Sequence, residues 1–280
     1  MSAEPSFAGP SVLEVQLGTA VPEADGWVTR DFRAPAGLDG PPGILQGGLS
    51  AGLVMTAARL LHPSAPPVHG FEVRLHAPTP LARDLQVRAR PTPDGYEVET
   101  RDGDRLLVAG VVVLDDREAD PDPADVLGLA RVPVPVPEPQ PEFVGCWVCG
   151  AHPGHPYGQR LVPGWHDKRS VVSAWRPDAV LGDGSGLVHE LIVSAVLDCP
   201  TVWASWSHVR GRGDVGALLA GYRLRLIRPA PLGRLLRTVG RCDDVDGRKI
   251  HARGALLDDA GTLYALSSAL HISVDRLPEL

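Results

Sequence analysis

Apolar and charged side chains alternate in Tyr222-Arg-Leu-Arg-Leu-Ile227, the pattern of a strand with one face on a core and the other in water. Strand-like runs of this kind gather in two sets. The first starts with Trp27–Ala34, passes a Gly/Pro loop and a predicted helix from about Gly47 to Leu61, and continues with His69–Ala77, Leu85–Arg90, Tyr96–Thr100 and Leu106–Leu114. The second has the same order: Ser170–Trp175, a loop, a helix beginning near His189, then Ala217–Ile227, Leu235–Arg241, Lys249–Leu257 and Thr262–Ser273. Between them, Asp115–Glu142 is acidic at first and carries alternate prolines later. Proline removes backbone donors and favours an extended, semi-rigid spacer. The chain thus divides into an N-terminal unit (1–114), a Pro/Asp-rich linker (115–142) and a C-terminal unit (143–280).

The units are also alike locally. Ala77-Pro-Thr-Pro-Leu-Ala-Arg83 resembles Arg228-Pro-Ala-Pro-Leu-Gly-Arg234, and both lie after the helix, between the first and second strands that follow it. A match in the same topological place argues for duplication; the alternative is two unrelated α+β units with similar turn chemistry.

Composition narrows the partners. The 280 residues are 44% hydrophobic and 22% charged, which suits a soluble globular protein with a sizeable core. A net charge of -7 without a dense basic run argues against nucleic acid. Apolar stretches fall short of the roughly 20 residues that span a bilayer, and Met1–Pro10 lacks a secretion pattern. The cysteines, at 146, 149, 199 and 242, are too few and scattered for a disulfide scaffold. The expectation is a reduced, cytoplasmic protein without membrane, nucleic-acid or cofactor partners.

Strand, loop, central helix and four antiparallel strands is the order of the hotdog fold, in which a sheet wraps one long helix. Val188-His-Glu-Leu-Ile-Val-Ser-Ala-Val-Leu-Asp198 resembles the helix start of phenylacetyl-CoA-type hotdog thioesterases. There a His-Gly-Gly opening is followed, nine residues after the histidine, by an acidic residue, and His189 and Asp198 keep that spacing. Gln46-Gly-Gly-Leu-Ser-Ala-Gly-Leu-Val-Met55 stands in register in the first unit, and Arg223–Arg234 looks like the family's strand with an Arg-Pro pair. The resemblance implies an α+β tandem double hotdog, with antiparallel sheets each wrapped around a central helix.

The departures are complementary. The first unit keeps both glycines but has Gln46 for the histidine and Met55 for the acid. The second keeps His189 and Asp198 but has Glu190 and Leu191 for the glycines. In the family, the helix start of one unit faces the acid of the other. The resemblance therefore implies one composite site where the units meet. Gly47 and Gly48 would offer N–H groups at a helix N-terminus to a thioester carbonyl, and glycine would let an acyl group approach the backbone. Asp198 would be the nucleophile or the base that activates water, with Gln46 orienting the carbonyl or the water. His189, Glu190 and Met55 would form the reciprocal site, and Arg210 and Arg212, in a Gly-rich loop, would meet coenzyme A phosphates.

Plainer readings stand beside these. Asp198, just before Cys199-Pro200, could cap a helix restarting after the proline. The glycines could be a loop-to-helix junction, His189 a structural residue at a helix start, and Gln46 a polar loop residue. Trp203 and Trp206 could fill core rather than an acyl pocket. Arg210 and Arg212 could be ordinary solvated loop residues. Cys146-Trp-Val-Cys149-Gly resembles an opening found ahead of the first strand in some hotdog thioesterase relatives. Cys146, Cys149, His152 and His155 could together supply four zinc ligands, but their pairs are spaced more closely than in ordinary fingers, so the expectation is a packed loop and no metal.

The leading expectation is a thioesterase acting on acyl-CoA or acyl-carrier-protein. Its rivals are a non-catalytic acyl-thioester binding or scaffold protein and, last, an enoyl-thioester hydratase. A monomer would already be complete, and exposed sheet edges leave a homodimer open.

Overall fold

The computed structural model describes residues 16–34, 36–61, 69–114, 124–150 and 158–278. The first part comprises β1 (Gln16–Leu17), β2 (Val21–Pro22), β3 (Val28–Arg33), helix α1 (Gly47–Leu61), β4 (Gly70–Leu75), β5 (Asp84–Thr92), β6 (Gly95–Asp102) and β7 (Arg105–Val113). After the short helix α2 (Ala124–Gly128) come β8 (Gly164–Asp167), β9 (Ser170–Trp175), α3 (Glu190–Ala204), α4 (Trp206–Gly211), β10 (Gly216–Leu226), β11 (Leu236–Asp246), β12 (Lys249–Asp258) and β13 (Leu263–Val274).

All pairings are antiparallel, and one sheet runs β1-β3-β5-β6-β7-β4-β10-β13-β12-β11-β9-β8, with β2 on β3. The halves join edge to edge at β4 and β10, where Arg74 faces Gly221 and Gly70 faces Arg225. Joining there hides two edges that would otherwise present unpaired backbone groups. α1 and α3 pack on each other and on the sheet. Both are apolar nearly all round, as buried helices must be; in α3 every residue after Glu190 is buried. No helix among the described residues is long and apolar enough to cross a membrane.

The predicted elements are present, and the largest shortfall is β11. Its acidic end (Asp243, Asp244, Asp246) reads as loop, yet it pairs with β12 as far as Asp246–Lys249, and Arg253 grips Asp243 through two bonds of 2.7 and 2.9 Å. Cross-strand ion pairing supplies what local propensity lacks. The linker differs too. Its first residues lie outside those described, but α2 and the turn after it bury Val126, Leu129 and Ala130 against Val172, Val239, Ala255 and Leu257. That stretch is a cover for the sheet rather than a spacer.

Equivalent hydrogen bonds recur in both halves. Leu45 N donates to Thr79 O (2.9 Å) as Val188 N does to Ala230 O (2.8 Å). Gln46 N donates to Leu38 O and His189 N to Leu181 O, each at 3.0 Å. Gln46 therefore corresponds to His189, and the same offset carries Met55 onto Asp198. Ala82 and Gly233 correspond as well: their N–H groups reach Ala34 O and Pro177 O, each at 3.1 Å, and both have positive φ, 54° and 70°. A left-handed backbone disfavours a side chain by about 1–2 kcal/mol. Ala82→Gly is expected to stabilise the protein by up to about 1 kcal/mol and Gly233→Ala to destabilise it by about 1–2 kcal/mol, read by chemical denaturation. Equal effects at both positions would contradict the equivalence.

Candidate active site

The loop before α1 delivers Gln46 as its N-terminal cap, with Oε1 accepting from Leu49 N–H at 2.8 Å. The amide's other end points across to α3, where Nε2 donates to Asp198 Oδ2 (2.7 Å) and Ala195 O (3.2 Å). Gly48 N–H donates to the same carboxylate oxygen at 2.9 Å. One carboxylate oxygen thus takes two donors from the opposite half, while Oδ1 has no partner among the described residues.

The helices can approach this closely because of small residues. A β-carbon on Gly48 would lie 2.4 Å from Ser194 O and 2.7 Å from Asp198 Cβ. One on Gly47 would lie 2.9 Å from Asp198 Oδ2. Ser194 Oγ donates to Gly48 O (2.5 Å), and Tyr222 on β10 donates its hydroxyl to Ser194 O (3.0 Å). Gly48 is therefore glycine for the sake of helix contact rather than acyl approach, and its N–H is engaged by Asp198. The Gly47 N–H has no acceptor among the described residues and lies at the helix N-terminus.

Asp198, 7% exposed, opens with Gln46 and Gly47 onto a cavity of about 310 Å³. Burial pushes its pKa up to about 7; the Gly48 N–H works against the rise and Cys146 adds to it. Ile44, Leu45, Val202, Trp206, Leu219 and Leu277 supply apolar wall, from both halves.

No family model and no curated protein matches the chain. Solved structures do resemble it. The tesB protein of Mycobacterium avium subs paratuberculosis superposes with a TM-score of 0.59 at 14% identity, covering 93% of this chain and 96% of that one. A hot dog fold protein of unknown function from Alicyclobacillus acidocaldarius gives 0.60 at 16%, covering 98% of each. The dehydratase domain of a mycocerosic acid synthase-like PKS gives 0.61 at 18%, covering 93% and 96%. The fold is a double hotdog. At these identities the likeness speaks for the fold and leaves the chemistry to the residues.

In this double hotdog the two helix starts have diverged. His189 caps α3, its Nδ1 accepting from Leu191 N–H (3.1 Å). Burial, then the charge of Arg59, lowers its pKa to about 4, so it is neutral. Glu190 pairs with Arg59. Met55, where Asp198 has its counterpart, is 1% exposed in the core. None of these three lines the cavity that Asp198 lines. Arg210 bonds Gln140 Oε1 (2.5 Å) and Glu142 Oε1 (3.1 Å), and Arg212 bonds Asp214 (2.8 Å). Glu142 lines the cavity, so Arg210 stands near its rim. Trp203 is core, whereas Trp206 reaches the cavity wall. α3 runs through Pro200, so Asp198 caps no restarting helix. His152 and His155 lie outside the described residues.

His271 on β13 lines the cavity and was not singled out by sequence. Thr201 gives its hydroxyl proton to Asp198 O (2.6 Å), so His271 Nε2–H must donate to Thr201 Oγ1 (2.9 Å). Its Nδ1 is left an acceptor, buried and without a donor among the described residues. Burial lowers its pKa to about 3, which keeps it neutral. The one available signal was a histidine at an inward-facing position of an alternating strand.

Gly48→Ala is expected to destabilise the fold by about 1–3 kcal/mol, the usual effect of overpacking, measured by denaturant unfolding. An unchanged midpoint would mean that the helices can part freely.

Proposed function

We propose that this chain hydrolyses acyl thioesters, carried by coenzyme A or an acyl carrier protein, at one composite site. The observation that carries the reading is a buried carboxylate of one half, held at a helix start of the other, on an apolar cavity. Asp198 acts as general base: Oδ1 takes a proton from water while the water oxygen attacks the thioester carbon. The carbonyl electrons move onto oxygen, which accepts from the Gly47 N–H and is favoured by the dipole of α1. As the carbon–sulfur bond breaks, the leaving thiolate takes that proton from Asp198, leaving acid and thiol and restoring the carboxylate. Gln46 and Gly48 fix the base through Oδ2. Arg210 and Arg212, exchanging their present partners, serve a phosphorylated carrier at the rim. His189, Glu190 and Met55 shape the reciprocal side without chemistry.

A second reading, hydration of an enoyl thioester, is favoured by His271, a neutral histidine that lines the same cavity. Thiol release from short, long and aryl acyl-CoA substrates separates the readings. Asp198→Asn should lower turnover by on the order of 100-fold or more and Met55→Ala should spare it. Hydration without thiol release would select the second reading, and neither reaction from folded protein would leave an acyl-thioester binder. Because the base must be ionised, hydrolysis should rise with pH and level off above about 7.

Stability should run the other way. The folded protein holds the Asp198 proton up to about pH 7, whereas an unfolded chain releases it near 4. The native state therefore binds more protons in that window, and stability falls as pH rises through it. Asp198→Asn keeps the acceptor and removes the buried charge, so it should melt higher than the parent at pH 8 while showing less gain at pH 5. A lower melting temperature at pH 8 would refute the burial argument.

A further inference from the structure

Cys146 and Cys149 lie in the loop before β8, and Cys199 follows Asp198 on α3. Their sulfurs converge within 4.8 Å of one another, all buried, with Cys146 and Cys199 3.9 Å apart. Tetrahedral zinc with bonds of about 2.3 Å sets thiolate sulfurs about 3.8 Å apart, so the side chains stand close to that arrangement.

The loop holds the cysteines in a tight turn. Gly150 N–H closes the turn on Cys146 O at 2.7 Å. A β-carbon on Gly150 would come within 2.3 Å of that oxygen. The Trp203 indole N–H is buried without an acceptor among the described residues. Such outer donors orient metal-bound thiolates. All three cysteines line the cavity, which gives an ion a way in.

We propose that Cys146, Cys149 and Cys199 form a thiolate site for a soft divalent cation, zinc first, whose fourth ligand comes from the cavity. Binding displaces the thiol protons, so affinity should rise with pH. Cys242 belongs elsewhere, its sulfur 3.9 Å from Arg169 Nη2, and serves as the control. The proposal does not rest on the hydrolysis reading, although the three cysteines share the cavity with Asp198.

The test uses the reduced full chain, stripped with chelator and titrated with Zn²⁺ and with Co²⁺. One equivalent should bind, with thiolate-to-cobalt charge transfer of three-sulfur intensity and a higher melting temperature. Cys146→Ser and Cys199→Ser should lose stoichiometric binding, and Cys242→Ser should keep it. Absence of binding to the folded parent, or full retention in Cys199→Ser, would overturn the proposal. Should those variants fail to fold, the cobalt spectrum of the parent still decides, since an intensity of one sulfur or none also overturns it.

Discussion

The close contact between α1 and α3 sets most of the other arrangements in this protein. Two helices with small residues at their nearest points, Gly48 on one and Ser194 on the other, come near enough for backbone and side chain to bond directly: Ser194 Oγ to Gly48 O at 2.5 Å and Gly48 N–H to Asp198 at 2.9 Å. A buried carboxylate would be prohibitive without donors, and here they exist only because the helices are this close. The same contact aligns β4 with β10, so the sheet runs unbroken through the seam.

The contact is not symmetric, although the two halves share one fold. Where the first half has Gly48, the second has Leu191; where the second has Asp198, the first has Met55. A leucine and a methionine fill by packing what a glycine and an aspartate fill by hydrogen bonding. At that end Arg59 and Glu190 pair instead. Each helix start keeps its cap, Gln46 or His189, since exposed N–H groups need an acceptor whatever the site's chemistry. Both halves therefore have the cap, whereas the buried carboxylate stands in one.

The cavity draws its walls from distant parts of the chain. Glu142 and Phe143 enter from the linker's end, Trp206 from α4, Leu219 from β10 and His271 from β13. Phe143 stacks on Trp203 with ring centroids 4.7 Å apart, which ties the linker's end to α3. Burial then governs the ionisable groups, raising Asp198 and lowering His271.

Periodicity marked both central helices and most of the strands, because alternation and apolar runs are local, whereas β8, α4 and the acidic end of β11 carry no such mark. The repeated Pro-x-Pro-Leu-x-Arg turn and the spacing of Gln46, Met55, His189 and Asp198 were legible for the same reason, because they are local. Tertiary structure decided the rest. That Asp198 meets Gly48, that Cys199 meets Cys146, and that His271 turns toward Thr201 depend on packing between segments far apart in sequence, which no local pattern encodes. The reason for Gly48 changed with it, from room for a ligand to room for a helix, since only a neighbour's position tells which atom a missing side chain makes way for.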